Sequence, residues 1–270
     1  MTASDPTTLR IAVLALGGQG GGVLVDWIVD LAEHQGWTAQ ATSVAGVAQR
    51  TGATVYYIEL VEPTPGREPL MALMPVAGEV DILIAAELME AGRAVERGLV
   101  TPERTLLVAS SHRTYAVQEK IVPGNGLADS GAVIAALHGA ARRLVLADMQ
   151  ALAVRHGSVI SASLFGALAG CNALPFERAA FEAVVERSGV GVAASLAALR
   201  AAADIAASAA TAPMPSASPE APTQTAARPL PERPAGAALQ PLVERIRRDF
   251  ARPAWDWLGE GVARVVDWQD

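Results

Sequence analysis

Residues 11–22 read IAVLALGGQGGG. The unbroken apolar run from Ile11 to Leu16 has the pattern of a strand buried on both faces of a parallel sheet. Five glycines follow around Gln19, and an amphipathic stretch opens at Val23. Glycine lets backbone approach a ligand closely with its N–H groups exposed. A helix beginning there presents the positive end of its dipole. Strand, glycine turn and helix together form an anion cradle, most often used for the phosphates of a nucleotide-like cofactor.

The common fingerprints do not fit. A G-x-G-x-x-G match from Gly18 needs glycine at Val23, and one from Gly17 needs it at Gln19. No G-x-x-x-x-G-K-[ST] occurs in the chain. The carboxylate that holds an adenosine ribose should follow about 20 residues on, at the end of the second strand. That place reads Ala41, Thr42, Ser43, Val44. A tight turn without a ligand stays open as the plainer alternative.

Working outward, residues 8–16 read as the first strand. Val23, Leu24, Trp27, Ile28 and Leu31 are expected on one helix face. Thr38–Ser43 and the β-branched, aromatic stretch ATVYYIELV at 53–61 read as strands two and three. The gap between these two is too short for a helical crossover, so they are expected to be antiparallel. Val80–Ala85 and Arg104–Ser110 continue the strands, Leu144–Ala147 gives the last, and Glu87–Gly98 and 131–141 read as helices. From Met149 to about Ala207 the pattern is helical. Strands alternating with helices predict an α/β domain, a three-layer α/β/α sandwich with a mostly parallel sheet and a helical C-terminal part.

The α/β domain is expected over 1–207. Residues 208–236 hold seven prolines among Ala, Ser, Thr and Glu, a composition that reads as a disordered linker. Helical periodicity returns over 237–270, with Leu242, Ile246 and Phe250 expected on one face. Three tryptophans in the last sixteen residues suggest a tail that docks on a partner or on a missing C-terminal portion.

Composition narrows the function. Net charge is −7 without a basic stripe, which speaks against nucleic acid as partner. MTASDPTT lacks the basic and apolar parts of a signal segment. No apolar run reaches the ~18 residues of a membrane span. A cytoplasmic protein is expected. Cys171 is the single cysteine, so the chain cannot form an internal disulfide or ligate an iron–sulfur cluster through cysteine. It reads as a core residue. The four histidines, His34, His112, His138 and His156, lack ligand spacing. No metal site and no catalytic residue is assigned.

A second constellation lies between strands two and three, where residues 44–52 read VAGVAQRTG. In an open sheet, ligands bind outside the carboxyl ends of the parallel strands. Gln49, Arg50, Thr51 and Gly52 are expected at that edge, and Arg50 would complement a phosphate. A solvated loop arginine is the alternative.

GGQGGGVL after the first strand, and VAQRTG before the third, resemble the gamma-domain part of the 2-oxoacid:ferredoxin oxidoreductases. The likeness is strongest to the beta subunit of the indolepyruvate type, supported by TGATVYYIEL, AAELMEAGRA, VTPERTLLVASSHRTYA and SLFGALAG. The resemblance implies oxidative decarboxylation of a 2-oxo acid with coenzyme A, giving an acyl-CoA, carbon dioxide and two electrons for ferredoxin. It implies that thiamine diphosphate, Mg and the iron–sulfur clusters reside in a large alpha subunit. It further implies that no cofactor is held by this chain alone and that coenzyme A is a co-substrate at the interface. Carried over residue by residue, the ligand-binding positions are Gly17, Gly18, Gln19, Gly20, Gly21 and Gly22, then Gln49, Arg50, Thr51 and Gly52.

Two departures qualify the likeness. Thr51-Gly52 stands where the family has a glycine pair, and longer members continue beyond EGVARVVDWQD, so a truncated C-terminal region is expected. A stand-alone nucleotide-binding module and a purely structural scaffold subunit are the competing readings of the same residues.

Overall fold

The structure is a computed structural model that describes residues 7–44, 53–66, 69–114, 127–211, 230, 239–256, 258–259 and 261–262. The chain divides into two units, Met1–Ala217 and Ser218–Asp270.

In the first unit, β1 (Thr8–Leu16) leads through the glycine turn into α1 (Gly21–His34). Next come β2 (Thr38–Val44), β3 (Ala53–Val61), β4 (Ile82–Ala85), α2 (Leu88–Glu96) and β5 (Leu106–Ser110). Then follow α3 (Ser130–Ala140), β6 (Arg143–Ala147), α4 (Met149–Arg155) and α5 (Ile160–Gly170). The unit closes with α6 (Arg178–Ser188) and α7 (Val192–Thr211). The sheet has the order β2-β3-β1-β4-β5-β6. β1, β4, β5 and β6 are parallel, and β3 runs against both β1 and β2. The short connection between β2 and β3 does force the antiparallel pairing, and the α/β sandwich is the expected one.

Alternation along the strands builds the two faces. Ile11, Val13 and Ala15 join Ile82, Ile84 and Val108 beneath α1 and the helices from α4 onward. Ala12 and Leu14 join Leu83, Ala85 and Leu107 beneath α2 and α3. Strands covered on both faces need apolar residues at every position, hence their unbroken runs. Phe165 anchors the larger core, with its ring centroid 4.8 Å from Phe181 and 5.5 Å from Trp27. Cys171 is buried there as expected, and burial pushes its thiol up to about 11.

Three expectations for this unit need correction. Val23 is exposed, whereas Leu24, Val25, Trp27, Ile28 and Leu31 are buried; Val23 lies in the first turn, beside the open glycines. The helical stretch from Met149 breaks into four helices, with a 114° bend between α4 and α5, and α7 continues to Thr211. An 18-residue window in α7, Val192–Ala209, is apolar and long enough to cross a membrane. Arg200 and Asp204 interrupt it in the sequence; here they pair at the surface with Glu182 and Arg178 while the helix packs on α5.

In the second unit, α8 (Gln240–Asp249) leads into a 3-10 turn, Arg252–Ala254. Its buried residues are Val243 and Ile246, while Leu242 and Phe250 are exposed. The buried spacing is therefore i, i+3 rather than the expected i, i+4. The Arg247 guanidinium lies 5.9 Å from the Trp255 ring centroid, and Trp255 Nε1 donates to the Phe250 carbonyl at 2.9 Å.

Candidate functional site

The glycine turn leaves the sheet at the carboxyl end of β1. Gln19 organises it: its backbone N donates to the Leu16 carbonyl at 3.1 Å, and its Oε1 accepts from Leu16 N at 2.8 Å. Gln19 thus commits its side-chain carbonyl to the turn. Gly18 (φ +86°) and Gly20 (φ +67°) adopt left-handed backbone, which costs side-chain-bearing residues strain. Gly20 is the N-cap of α1 and offers no side-chain acceptor. The first amides of a helix lack internal partners, so they are available to an anion.

The glycines divide by what surrounds them. A Cβ on Gly21 would come within 2.7 Å of Tyr56 Cε2 and 2.8 Å of Ala15 Cβ, and one on Gly20 would come within 3.1 Å of Ser161 Oγ. These two let α1 sit close to the sheet and to the start of α5. A Cβ on Gly17 or Gly18 would meet nothing within 4 Å, so packing does not explain why they are glycine. Gly22 is near neither extreme, with only Tyr56 Oη at 4.0 Å.

The titratable groups at the same sheet edge are used by the fold. Glu87 is buried, and its carboxylate accepts from Glu90 N at 2.6 Å and Met89 N at 2.9 Å, capping α2. It also accepts from Thr114 N at 3.3 Å. Ser110 Oγ bonds His112 Nδ1 at 2.9 Å and accepts from Met149 N at 3.1 Å. Among the described residues no cluster of His, Cys, Asp and Glu is arranged to hold a metal.

The family model for pyruvate ferredoxin/flavodoxin oxidoreductase matches residues 10–205. The chain belongs to this family. Among solved structures, a pyruvate oxidoreductase subunit from Thermotoga maritima is similar at 16% identity and TM-score 0.51, over 73% of this chain and 96% of that one. A keto/oxoacid ferredoxin oxidoreductase gamma subunit from Geobacter sulfurreducens is 15% identical with TM-score 0.49, over 74% and 99%. A 2-oxoglutarate:ferredoxin oxidoreductase from Magnetococcus marinus, solved with 2-oxoglutarate, coenzyme A and succinyl-CoA, is 13% identical with TM-score 0.49, over 76% of this chain and 32% of that one. The first of these likenesses is one of fold. No curated protein matches.

Of the ten positions carried over from the oxidoreductase resemblance, Gly17 to Gly20 form the turn at the carboxyl edge of the sheet, and Gly21 and Gly22 open α1 directly after it. Gln49, Arg50, Thr51 and Gly52 lie outside the described residues. The sequence reading missed Tyr56 and Ser161, which shape the turn from β3 and α5. Ser161 Oγ is buried without a hydrogen-bond partner. Nothing local in the sequence ties either residue to the glycines; only the tertiary fold brings them together.

Proposed function

We propose that this chain is a subunit, inactive alone, of a thiamine-diphosphate-dependent 2-oxoacid:ferredoxin oxidoreductase, and that its glycine turn helps bind coenzyme A. The observation that carries the reading is the open face of Gly17 and Gly18, beside a helix N-terminus without a side-chain cap. That arrangement suits a phosphate or pyrophosphate group: it offers amide donors, close approach and positive potential. Gly20 and Gly21 are accounted for by packing, which is what a scaffold role would require of all of them. Gly18 is accounted for by its left-handed backbone; Gly17, with neither constraint, favours a ligand instead.

In this reading Gly17, Gly18 and the first amides of α1 hold a coenzyme A phosphate, and Arg50 pairs with another. Gln49, Thr51 and Gly52 complete the second loop. Thiamine diphosphate, Mg and the iron–sulfur clusters belong to a large alpha subunit, and ferredoxin receives the electrons. The commitment of Glu87, Ser110 and His112 to local hydrogen bonds supports a non-catalytic role. Indolepyruvate or a related aryl pyruvate is the substrate assigned, on the strength of the sequence resemblance. We assign the α/β domain to 1–207, a linker to 208–236 that opens with the last turn of α7, a helical tail to 237–270, and a cytoplasmic location.

The test is co-expression with a large subunit encoded beside it. Oxo-acid- and coenzyme-A-dependent reduction of ferredoxin by the purified complex, and by neither chain alone, is the expected result. Preference for pyruvate or 2-oxoglutarate would refute the aryl assignment. Purification of this chain as a monomer that never joins a larger subunit would refute the whole reading.

A further inference from the structure

At the amino ends of β4, β5 and β6, across the sheet from the glycine turn, lies a cavity of about 320 Å³. Arg104, Arg142, Arg143, Asp81 and Asn172 line it together with apolar residues. Asp81 and Glu79 both pair with Arg104, which leaves Arg142 and Arg143 as the two arginines of this lining without a carboxylate partner among the described residues. Arg104 is satisfied by Asp81 at 2.7 Å and Glu79 at 3.2 Å. Arg142 is exposed, and among the described residues its guanidinium makes no ion pair. Arg143 donates through Nη1 to the Cys171 carbonyl at 2.8 Å, while its Nε and Nη2 are buried with no partner. Nε and Nη2 form the lateral edge of the guanidinium, the fork that takes two oxygens of a phosphate or carboxylate at once. A buried donor left unpaired is costly. Here the unpaired groups are those best shaped for an oxyanion.

A second hollow of about 400 Å³ adjoins the first and shares Leu9, Asn172 and Ala173 with it. Trp37, Leu174 and Pro175 give it an apolar, partly aromatic side, and Thr7 and Glu62 a polar one. The boundary between the two is the stop of α5, where Asn172 takes left-handed backbone (φ +50°) just after the Cys171 cap. This is a common helix ending for asparagine. Together the volumes suit a small ligand.

We propose that this paired cavity binds a small organic phosphate ester, with the phosphoryl group on Arg142 and Arg143 and the organic part against Trp37. Arg143 turns its fork into the cavity on binding and gives up only the bond to Cys171. Two arginines without ion-pair partners suit a phosphate dianion, and the Glu62 carboxylate lies in the second hollow, with the organic part rather than the phosphoryl group. This site is separate from the glycine turn and does not depend on the coenzyme A reading.

The experiment is thermal denaturation of the full-length chain with phenyl phosphate, inorganic phosphate, or sodium chloride at matched ionic strength. Phenyl phosphate is expected to raise the melting temperature most, and inorganic phosphate less. Arg142→Ala should weaken the apparent affinity for phenyl phosphate about tenfold or more, the loss of one charge-assisted contact. Arg143→Met should abolish the response. It should melt no lower than wild type without phosphate, because two unpaired buried nitrogens are gone. Neither variant should change the KM for coenzyme A in the assembled complex. The proposal is overturned if phenyl phosphate does no more than sodium chloride, if inorganic phosphate matches it, or if Arg142→Ala retains the full response.

Discussion

A Cβ placed on Gly166 would stand 2.1 Å from the carbonyl oxygen of Leu199. One turn on, a Cβ on Gly170 would stand 2.1 Å from the carbonyl oxygen of Ala203. The helices α5 and α7 therefore pack backbone against backbone, and the glycine spacing in SLFGALAG sets their separation. Because the obstacle is backbone rather than a movable side chain, Gly166→Ala must push the helices apart and disturb Phe165 between them and α1. A loss of about 3 kcal/mol, at the upper end of overpacking effects, is expected for either glycine. Urea denaturation measures it. A loss below about 0.5 kcal/mol, as at an ordinary surface site, would show that the helices are not in this contact.

Glu90 on α2 predicts a pH dependence. Burial, with the like charge of Glu87 adding to it, raises its pKa above the ordinary 4.5, and Arg93 opposes the shift. Its Oε1 accepts from Arg93, but Oε2 is buried without a partner. The folded state therefore holds this proton more tightly than the unfolded state does. The stability tied to it is fully present below the unfolded value and is lost as pH rises through the folded one. Glu90→Gln cannot ionise, so its stability relative to wild type should improve steadily from below pH 4.5 towards neutrality. Parallel stability curves for the two proteins, measured by chemical denaturation across that range, would contradict the assignment.

Elements whose local pattern matches their surroundings were legible in the sequence. β1 and β3 have the expected bounds because their β-branched and apolar runs meet an environment that is buried over most of each strand. The antiparallel β2–β3 pair followed from connection length alone. The tail helix was read with the wrong face because a ten-residue helix admits both i, i+3 and i, i+4 stripes. At the candidate site, the run of glycines was visible but their division was not. Whether a glycine faces Tyr56, Ser161 or open space depends on residues far away in the chain. The unpaired Arg143 fork was also invisible, since an arginine opening a strand reads as solvated until the cap of α5 closes over it.

Arg50 carries the sharpest expectation for the proposed coenzyme A role. If it pairs with a phosphate, Arg50→Ala in the assembled complex should raise the KM for coenzyme A roughly ten- to a hundredfold, the loss of one charge-assisted contact. The KM for the oxo acid should hardly change. Arg50→Lys should restore only part, because lysine keeps the charge without the planar fork. If the site is open to solvent, added salt should shrink the difference between wild type and Arg50→Ala. Unchanged coenzyme A kinetics in an intact complex would make Arg50 an ordinary loop arginine.

The two kinds of glycine in the turn can be separated by substitution. Gly17 needs no left-handed backbone, and a Cβ there meets nothing within 4 Å. Gly17→Val should therefore keep the chain's stability within about 0.5 kcal/mol of wild type. The new side chain would stand in the open face of the turn, where an anion must approach the α1 amides. In the complex, the KM for coenzyme A should rise while assembly and the oxo-acid KM stay unchanged. Gly21→Ala should do the reverse. Its methyl group would press on Tyr56 and Ala15 at 2.7–2.8 Å, destabilising the chain by about 1–3 kcal/mol. Once the complex forms, coenzyme A kinetics should be close to wild type. Denaturation curves and steady-state kinetics on both variants decide the matter. If Gly17→Val folds, assembles and uses coenzyme A as wild type does, the open glycines are not where the phosphate sits.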